Sequence, residues 1–343
     1  MKMLDKLEQE GFIENYSGYN NRETGEHMSS CVVFTDKLIN LFPQEHVDKF
    51  GSSYVIDHAI VRETVKIDGG EEIVVELKNV QGIGKHRKEI KEMSDWLNTH
   101  SFRFVTYPKK VDLQRIFFER IGWGGRIYFG GLQCLESSKR PLYIIDGKPV
   151  IELDYKSNHL LIIAEKKEIL LPEDFDPYGV DLSHLIKCDD PKKIRSIIKI
   201  CCMFLLNSGT PEATFKKFWK KNISIINKFV KEDDWTSAKA NLFYGVTGLS
   251  NSKAIIRAIE SYNYYAKSHF RIAGGVWDEL QYLDSEILLR IMRKMKAIDA
   301  PFLPYHDSVV TCFDYEKQLE GFMYDAWAEV LGSNFNCRVA KKF

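Results

Sequence analysis

"PVIELDYKSNHLLIIAE", Pro149–Glu165, joins an apolar run ending in an aspartate to a stretch of helical character. The run reads as a β-strand with Asp154 at its tip and Glu152 two residues earlier on the same face. An ionised carboxylate in that setting needs a partner or a chemical task. A second stretch, "PFLPYHDSVVTCF" (Pro301–Phe313), reads as two short strands around a tight turn at His306-Asp307. Each aspartate alone has an ordinary structural explanation, since turns favour Asp. Set on neighbouring strands of one sheet, the two carboxylates would repel unless cations lay between them. Two Mg²⁺ ions about 3.5–4 Å apart suit such a pair, because hard cations draw carboxylate and phosphate oxygens together.

"PKKIRSIIKICCMFLLNSGT" (Pro191–Thr210) carries helix start and stop signals, proline at its head and Ser208-Gly209 at its end. Arg195 and Lys199, four residues apart, share a face and repel, so a common anion such as a nucleoside triphosphate would relieve them. Met203 and Asn207 continue that ridge, while Ile200, Cys201, Cys202, Phe204, Leu205 and Leu206 predict burial elsewhere on the helix.

The 343 residues are 44% hydrophobic and 28% charged, with zero net charge and seven scattered cysteines without a CxxC pair. This pattern predicts a globular protein of a reducing, cytoplasmic compartment, without a disulfide framework or zinc ribbon. No apolar run reaches the ~20 residues that a membrane span needs. Charge is nonetheless uneven: eleven Lys and Arg fall between Lys187 and Lys231, against Asp189, Asp190 and Glu212. A patch of that sign holds polyphosphate even on a neutral protein.

Along the rest of the chain, residues 1–50 predict short helices and loops. Residues 53–78 predict a hairpin around Asp68-Gly69-Gly70, and His86–His100 an amphipathic helix with Ile90, Met93, Trp96 and Leu97 on one face. "GWGGRIYFGGLQCLESSKR" (Gly122–Arg140) reads as a glycine-rich connector holding Arg126, Gln133 and Arg140. Residues 169–185 read as an acidic loop and 212–270 as mostly helical. Trp277–Ile298 and the tail from Glu316 read as helices. Strand, helices and hairpin in that order give an α+β class with an antiparallel sheet.

In order and spacing, these stretches resemble the motifs of family A DNA polymerases and bacteriophage-type single-subunit RNA polymerases. "ELDYKSNHL" (Glu152–Leu160) resembles motif A, "RSIIKICCMFLLNSG" (Arg195–Gly209) motif B, and "PYHDSVV" (Pro304–Val310) motif C. The Gly125–Arg140 segment resembles the GR…LQN…R stretch that precedes motif A, and the match covers roughly residues 115–315. The resemblance implies a right-hand palm with helical fingers. Residues 1–110 would be a reduced accessory, thumb-like region, 111–185 palm, 186–275 fingers, and 276–343 palm with a C-terminal helix.

It further implies a metal-dependent nucleotidyltransferase acting on a DNA or RNA template-primer with nucleoside triphosphates. Asp154 and Asp307 would hold two Mg²⁺ ions, with Mn²⁺ as a substitute. Arg195 and Lys199 would grip the triphosphate, with Lys199 in the catalytic set. Met203, Asn207, Tyr155 and His159 would line the nucleotide, and Arg126, Gln133, Arg140 and His306 the nucleic acid. His159 stands where the DNA enzymes carry a sugar-gating glutamate, and Asn207-Ser208-Gly209 replaces the Tyr-Gly that closes motif B. Met203 and Ser308 lean toward the RNA enzymes, Tyr155 and the upstream segment toward the DNA enzymes. DNA synthesis is the favoured expectation. RNA, primase-like or untemplated synthesis, an inert replication accessory protein and a two-metal nuclease using Glu152 are the alternatives. The compact size suits a phage, plasmid or other mobile element.

Overall fold

The computed structural model describes residues 3–16, 20–21, 26–27, 31–35, 37, 57–66, 72–104, 107–130, 133, 135, 137–182, 190–207, 249–270 and 276–343. The class is α+β. The chain forms two compact units, one of Met1–Tyr155, Tyr282–Ala326 and Val339–Phe343, the other of Lys156–Gln281 and Trp327–Arg338. Among the described residues no helix is long and apolar enough to cross a membrane.

The first unit opens with α1 (Met3–Gln9), β1 (Ile13–Tyr16), β2 (Asn20–Asn21), β3 (Glu26–His27) and β4 (Cys31–Phe34). Here the expected short helices and loops give way to strand pairs, β1 with β4 and β2 with β3. The β-branched and aromatic content of "CVVF" favours that outcome. Next, β5 (Ala59–Lys66) and β6 (Glu72–Leu77) pair antiparallel, as the alternation predicts. The Asp68-Gly69-Gly70 turn itself lies outside the described residues. Helix α2 (Ile83–Leu97) buries Ile90, Met93 and Leu97. Trp96 is half-buried and donates its indole N–H to Asp299 (3.0 Å).

β7 (Phe102–Phe104) and β8 (Tyr107–Lys109) follow, then β9 (Gln114–Phe118) and β10 (Arg120–Tyr128). The glycine-rich connector expected from Gly122 begins as strand, as far as Tyr128: β10 pairs antiparallel with β9 through a bulge between Arg120 and Arg126. The glycines are there for close approach. A Cβ on Gly124 would sit 2.5 Å from the Phe118 ring, and one on Gly125 2.9 Å from Phe117. Gly125 also offers its carbonyl to the Nε–H of the fully buried Arg115 (2.9 Å). Strand-interior glycine at a bulge is a recurrent device. β5 pairs parallel with β9, so this sheet runs β10-β9-β5-β6.

The larger sheet contains β11 (Tyr143–Ile145), β12 (Lys148–Tyr155), β13 (Phe302–Tyr305), β14 (Ser308–Cys312) and β15 (Val339–Lys341). Its order is β13-β14-β12-β11-β7-β8, with β15 also on β12. β12 has β14 along one edge, while β11 and then β15 share the other. Ile151, Leu153 and Tyr155 of β12 and Val309 and Val310 of β14 are all buried.

In the second unit, α3 (Asn158–Lys166) follows β12 directly, and α4 (Pro191–Asn207) begins at its proline as expected. Ile198, Cys201, Cys202, Leu205 and Leu206 of α4 are buried. Residues 208–248 lie outside the description, including the Lys216–Lys231 stretch and the expected helix stop at Ser208-Gly209. Helix α5 (Leu249–Tyr262) bears out part of the helical expectation for 212–270. In sequence, α6 (Trp277–Ala297) precedes the β13–β14 hairpin and α7 (Glu316–Leu331) follows it, and most of each belongs to the first unit. α6 carries Asp278 and Glu279 in its first turn and Lys294 and Lys296 in its last, the charge order that the helix dipole favours.

Candidate active site

Register places the two aspartates together. Asp154 lies opposite Ser308 in the β12–β14 ladder, and the Tyr155 N–H donates to the Asp307 carbonyl (3.0 Å). The turn joining β13 to β14 has two residues, and His306 takes a φ of 59°. Primed hairpin turns require that sign at their first central residue. Asp307 is thereby held at the hairpin tip beside the end of β12.

Burial raises the pKa of Asp154 from its ordinary 3.8 to about 7, with the Asp307 charge the next largest contribution. Lys342 opposes the rise and Glu152 adds to it. The Lys342 Nζ lies 3.0 Å from Asp154 Oδ1 and 3.0 Å from Glu152 Oε1. Burial alone would lower the Lys342 pKa, but Asp154 and Glu152 outweigh it and hold the ammonium above its ordinary value.

Glu152 is in a different position from Asp154. It is fully buried, and its Oε1 accepts from Arg140 Nη1 (2.7 Å), Ser308 Oγ (2.7 Å) and Lys342 Nζ (3.0 Å). The Arg140 guanidinium also lies 3.8 Å from the centroid of the Tyr305 ring. Arg140, expected to face nucleic acid, is therefore spent on an internal carboxylate and an aromatic face. Glu152 Oε2 is buried without a hydrogen-bond partner among the described residues.

Gln133 and His306 meet as side chains, Nε2 to Nε2 at 3.1 Å, and Gln133 Oε1 accepts from the Phe129 N–H (3.1 Å). The His306 ring packs edge-on against Tyr128 at 5.3 Å. Arg126 forms an ion pair with the buried Asp284 of α6 (3.8 Å). Tyr155 departs from its expected role. Its ring is 3% exposed and its hydroxyl donates to the Met323 carbonyl (2.6 Å), so it is a core residue. Adjacent strand residues point to opposite faces, and Tyr155 is therefore turned away from Asp154.

In the second unit, the α4 face expected to bind anions carries exposed Arg195 and Lys199 and half-buried Met203. Asn207 occupies the last position of the helix, and its side chain lies outside the description. Arg195 grips Asp176 through two bonds, Nε at 2.6 Å and Nη2 at 3.1 Å, which raise its pKa. Lys199 has no ionic partner among the described residues. His159 packs edge-on against Trp277 at 4.9 Å.

Two partners had no signal in the sequence, Lys342 at the acids and Asp176 at Arg195. Among the described residues, no group of three or more His, Cys, Asp or Glu is disposed to hold a metal ion. Two aspartates nonetheless fit Mg²⁺, which binds through one or two carboxylates and leaves its remaining positions to water and phosphate. The under-neutralised Asp154 and the orphaned Glu152 oxygen beside it both favour added positive charge.

No known protein family matches this chain, and no curated protein matches it in sequence. Among solved structures, the POL domain of Pol1 from M. smegmatis, in complex with DNA primer-template and dNTP, aligns with a TM-score of 0.36 and 10% identity. The alignment covers 75% of this chain and 51% of that one, so the chain spans about half the length of that structure.

Proposed function

We propose that this protein is a metal-dependent nucleotidyltransferase, a template-directed nucleic-acid polymerase of the family A type with DNA synthesis favoured. The observation that carries the reading is the placement of Asp154, opposite Ser308 in the β12–β14 ladder, beside Asp307 of the adjoining turn, with Asp154 desolvated. Asp154 and Asp307 would hold two Mg²⁺ ions. When bound, the ions lower the pKa of a primer 3′-hydroxyl and stabilise the charge of the α-phosphate under attack. Arg195 and Lys199 bind the triphosphate and offset the charge of the departing pyrophosphate. Met203 and Asn207 continue that face. His306, oriented by Gln133 and Tyr128, borders the primer end, Arg126 contacts the nucleic acid, and His159 restricts the 2′ position of the sugar. Residues 111–185 and 276–343 are then palm, 186–275 fingers, and 1–110 an accessory region.

The commitment of Glu152 to Arg140, Ser308 and Lys342 argues against a nuclease with three metal-binding carboxylates. The test is primer extension on DNA and RNA templates with deoxy- and ribonucleotides supplied separately. Expected is Mg²⁺-dependent synthesis by the parent and none by Asp154→Ala or Asp307→Ala. Synthesis retained in both variants refutes the assignment. His159→Gly is expected to lower the preference for deoxynucleotides, and an unchanged preference removes the sugar-gate role.

A further inference from the structure

The short strand β15 (Val339–Lys341) runs directly into a charged residue, Lys342. It lies along β12 with Leu153 opposite Lys341, Asp154 opposite Ala340 and Tyr155 opposite Val339. The Lys342 N–H donates to the Glu152 carbonyl (2.9 Å), which fixes the backbone beside the acids. From there the ammonium reaches Asp154 and Glu152 together, 3.0 Å from each. The polymerase reading gives Lys342 no task, yet no other ammonium among the described residues is so placed.

We propose that Lys342 is a resident cation of the acid site, which a divalent ion must displace in order to bind Asp154. The inference rests on the metal-binding reading above. Three observations carry it. First, the ammonium contacts the same Asp154 carboxylate that the metal would use, and two cations on one carboxylate repel. Secondly, the neighbouring positive charge is not interchangeable with it, because Arg140 reaches Glu152 only and is held against Tyr305. Thirdly, the Lys342 side chain is 36% exposed, and four rotatable bonds let it swing out without unpairing β15. The site thus has two states. In one Lys342 neutralises the carboxylates, and in the other a divalent ion does so while the ammonium faces water. Metal affinity is set by the difference between them. Extra ligands from a triphosphate shift the balance toward the metal, so the device disfavours metal loading in the absence of nucleotide.

The experiment is titration of Mn²⁺ alone, followed calorimetrically, into the parent protein, Lys342→Met and Lys342→Arg, with circular dichroism as the folding control. Lys342→Met is expected to bind Mn²⁺ roughly tenfold more tightly than the parent, and Lys342→Arg to stay close to the parent. Equal or weaker binding by a folded Lys342→Met overturns the displacement while leaving the metal site standing. Absence of Mn²⁺ binding in all three proteins overturns the metal reading and this inference together. A second measurement needs no variant. Reductive methylation of the parent, read by peptide mass spectrometry, is expected to label Lys342 several-fold faster with Mn²⁺ present. A rate unchanged by saturating Mn²⁺ overturns the proposal.

Discussion

Asp154 in the first unit and Arg195 in the second are the two charged groups on which the sequence argument leans most, and their surroundings are opposite. Arg195 is half-exposed and saturated: Asp176 fills its fork with two bonds. Asp154 is largely buried and under-neutralised, sharing one ammonium with Glu152 and facing Asp307. A charge that is already matched gains little from a ligand, whereas an unmatched, desolvated one gains a great deal. The comparison makes the acid pair, rather than Arg195, the place where the proposed metal would gain most. It makes Lys199, without an ionic partner among the described residues, the cation of α4 more available to phosphate.

The sharpest break would come at the acids. Asp154→Asn or Asp307→Asn is expected to reduce Mg²⁺-dependent primer extension at least about a thousandfold, measured in single turnover. The metal-free fold should be retained, because like-charge repulsion is relieved. Arg140→Ala should do the reverse and act mainly on stability. It leaves the buried Glu152 with Lys342 as its sole charged partner, at a cost of about 3 kcal/mol in urea unfolding. On the saturated side, Lys199→Ala should raise the nucleotide KM about tenfold and Arg195→Ala less. Asp176→Asn, by freeing Arg195, should lower KM a few-fold. An unchanged KM in Asp176→Asn would detach Arg195 from the nucleotide.

The pH dependence follows from the sign of the Asp154 shift. Its folded pKa of about 7 exceeds the ordinary 3.8, so between those values the folded state holds a proton that the unfolded chain has lost. Metal-free stability should therefore fall as pH rises from about 4 to about 7, and Asp154→Asn should flatten that slope in melting curves. The smallest effect is expected at Tyr155→Phe. Loss of the bond to Met323 should cost about 1 kcal/mol and leave activity unchanged, as befits a core residue.

The strands, the two-residue turn and the helix face were legible in sequence because each depends on local periodicity. β12 is an apolar run with Glu152 and Asp154 two residues apart, His306-Asp307 interrupts another apolar run, and Arg195, Lys199 and Met203 recur at one helical turn. What stayed hidden is long-range. Lys342 reaches Asp154 only because three residues of β15 add to a strand far away in the chain. Asp176 sits in a loop whose acidity was legible but whose partner was not. Gly124 and Gly125 read equally as connector or strand because glycine marks both turns and bulges, and only the Phe117 and Phe118 rings decide which. The place of Tyr155 follows from a local rule, since a neighbour of Asp154 on a strand faces the other way.

The β12–β14 ladder also counts residues. Glu152 and Asp154 share one face, while Ile151, Leu153 and Tyr155 fill the other. A slip of one position would drive both carboxylates into the oily layer, out of reach of Arg140 and Lys342. Mispaired hairpins are thus penalised during folding by the desolvation of these carboxylates, so the acids select the register of the sheet even where they add nothing to its stability.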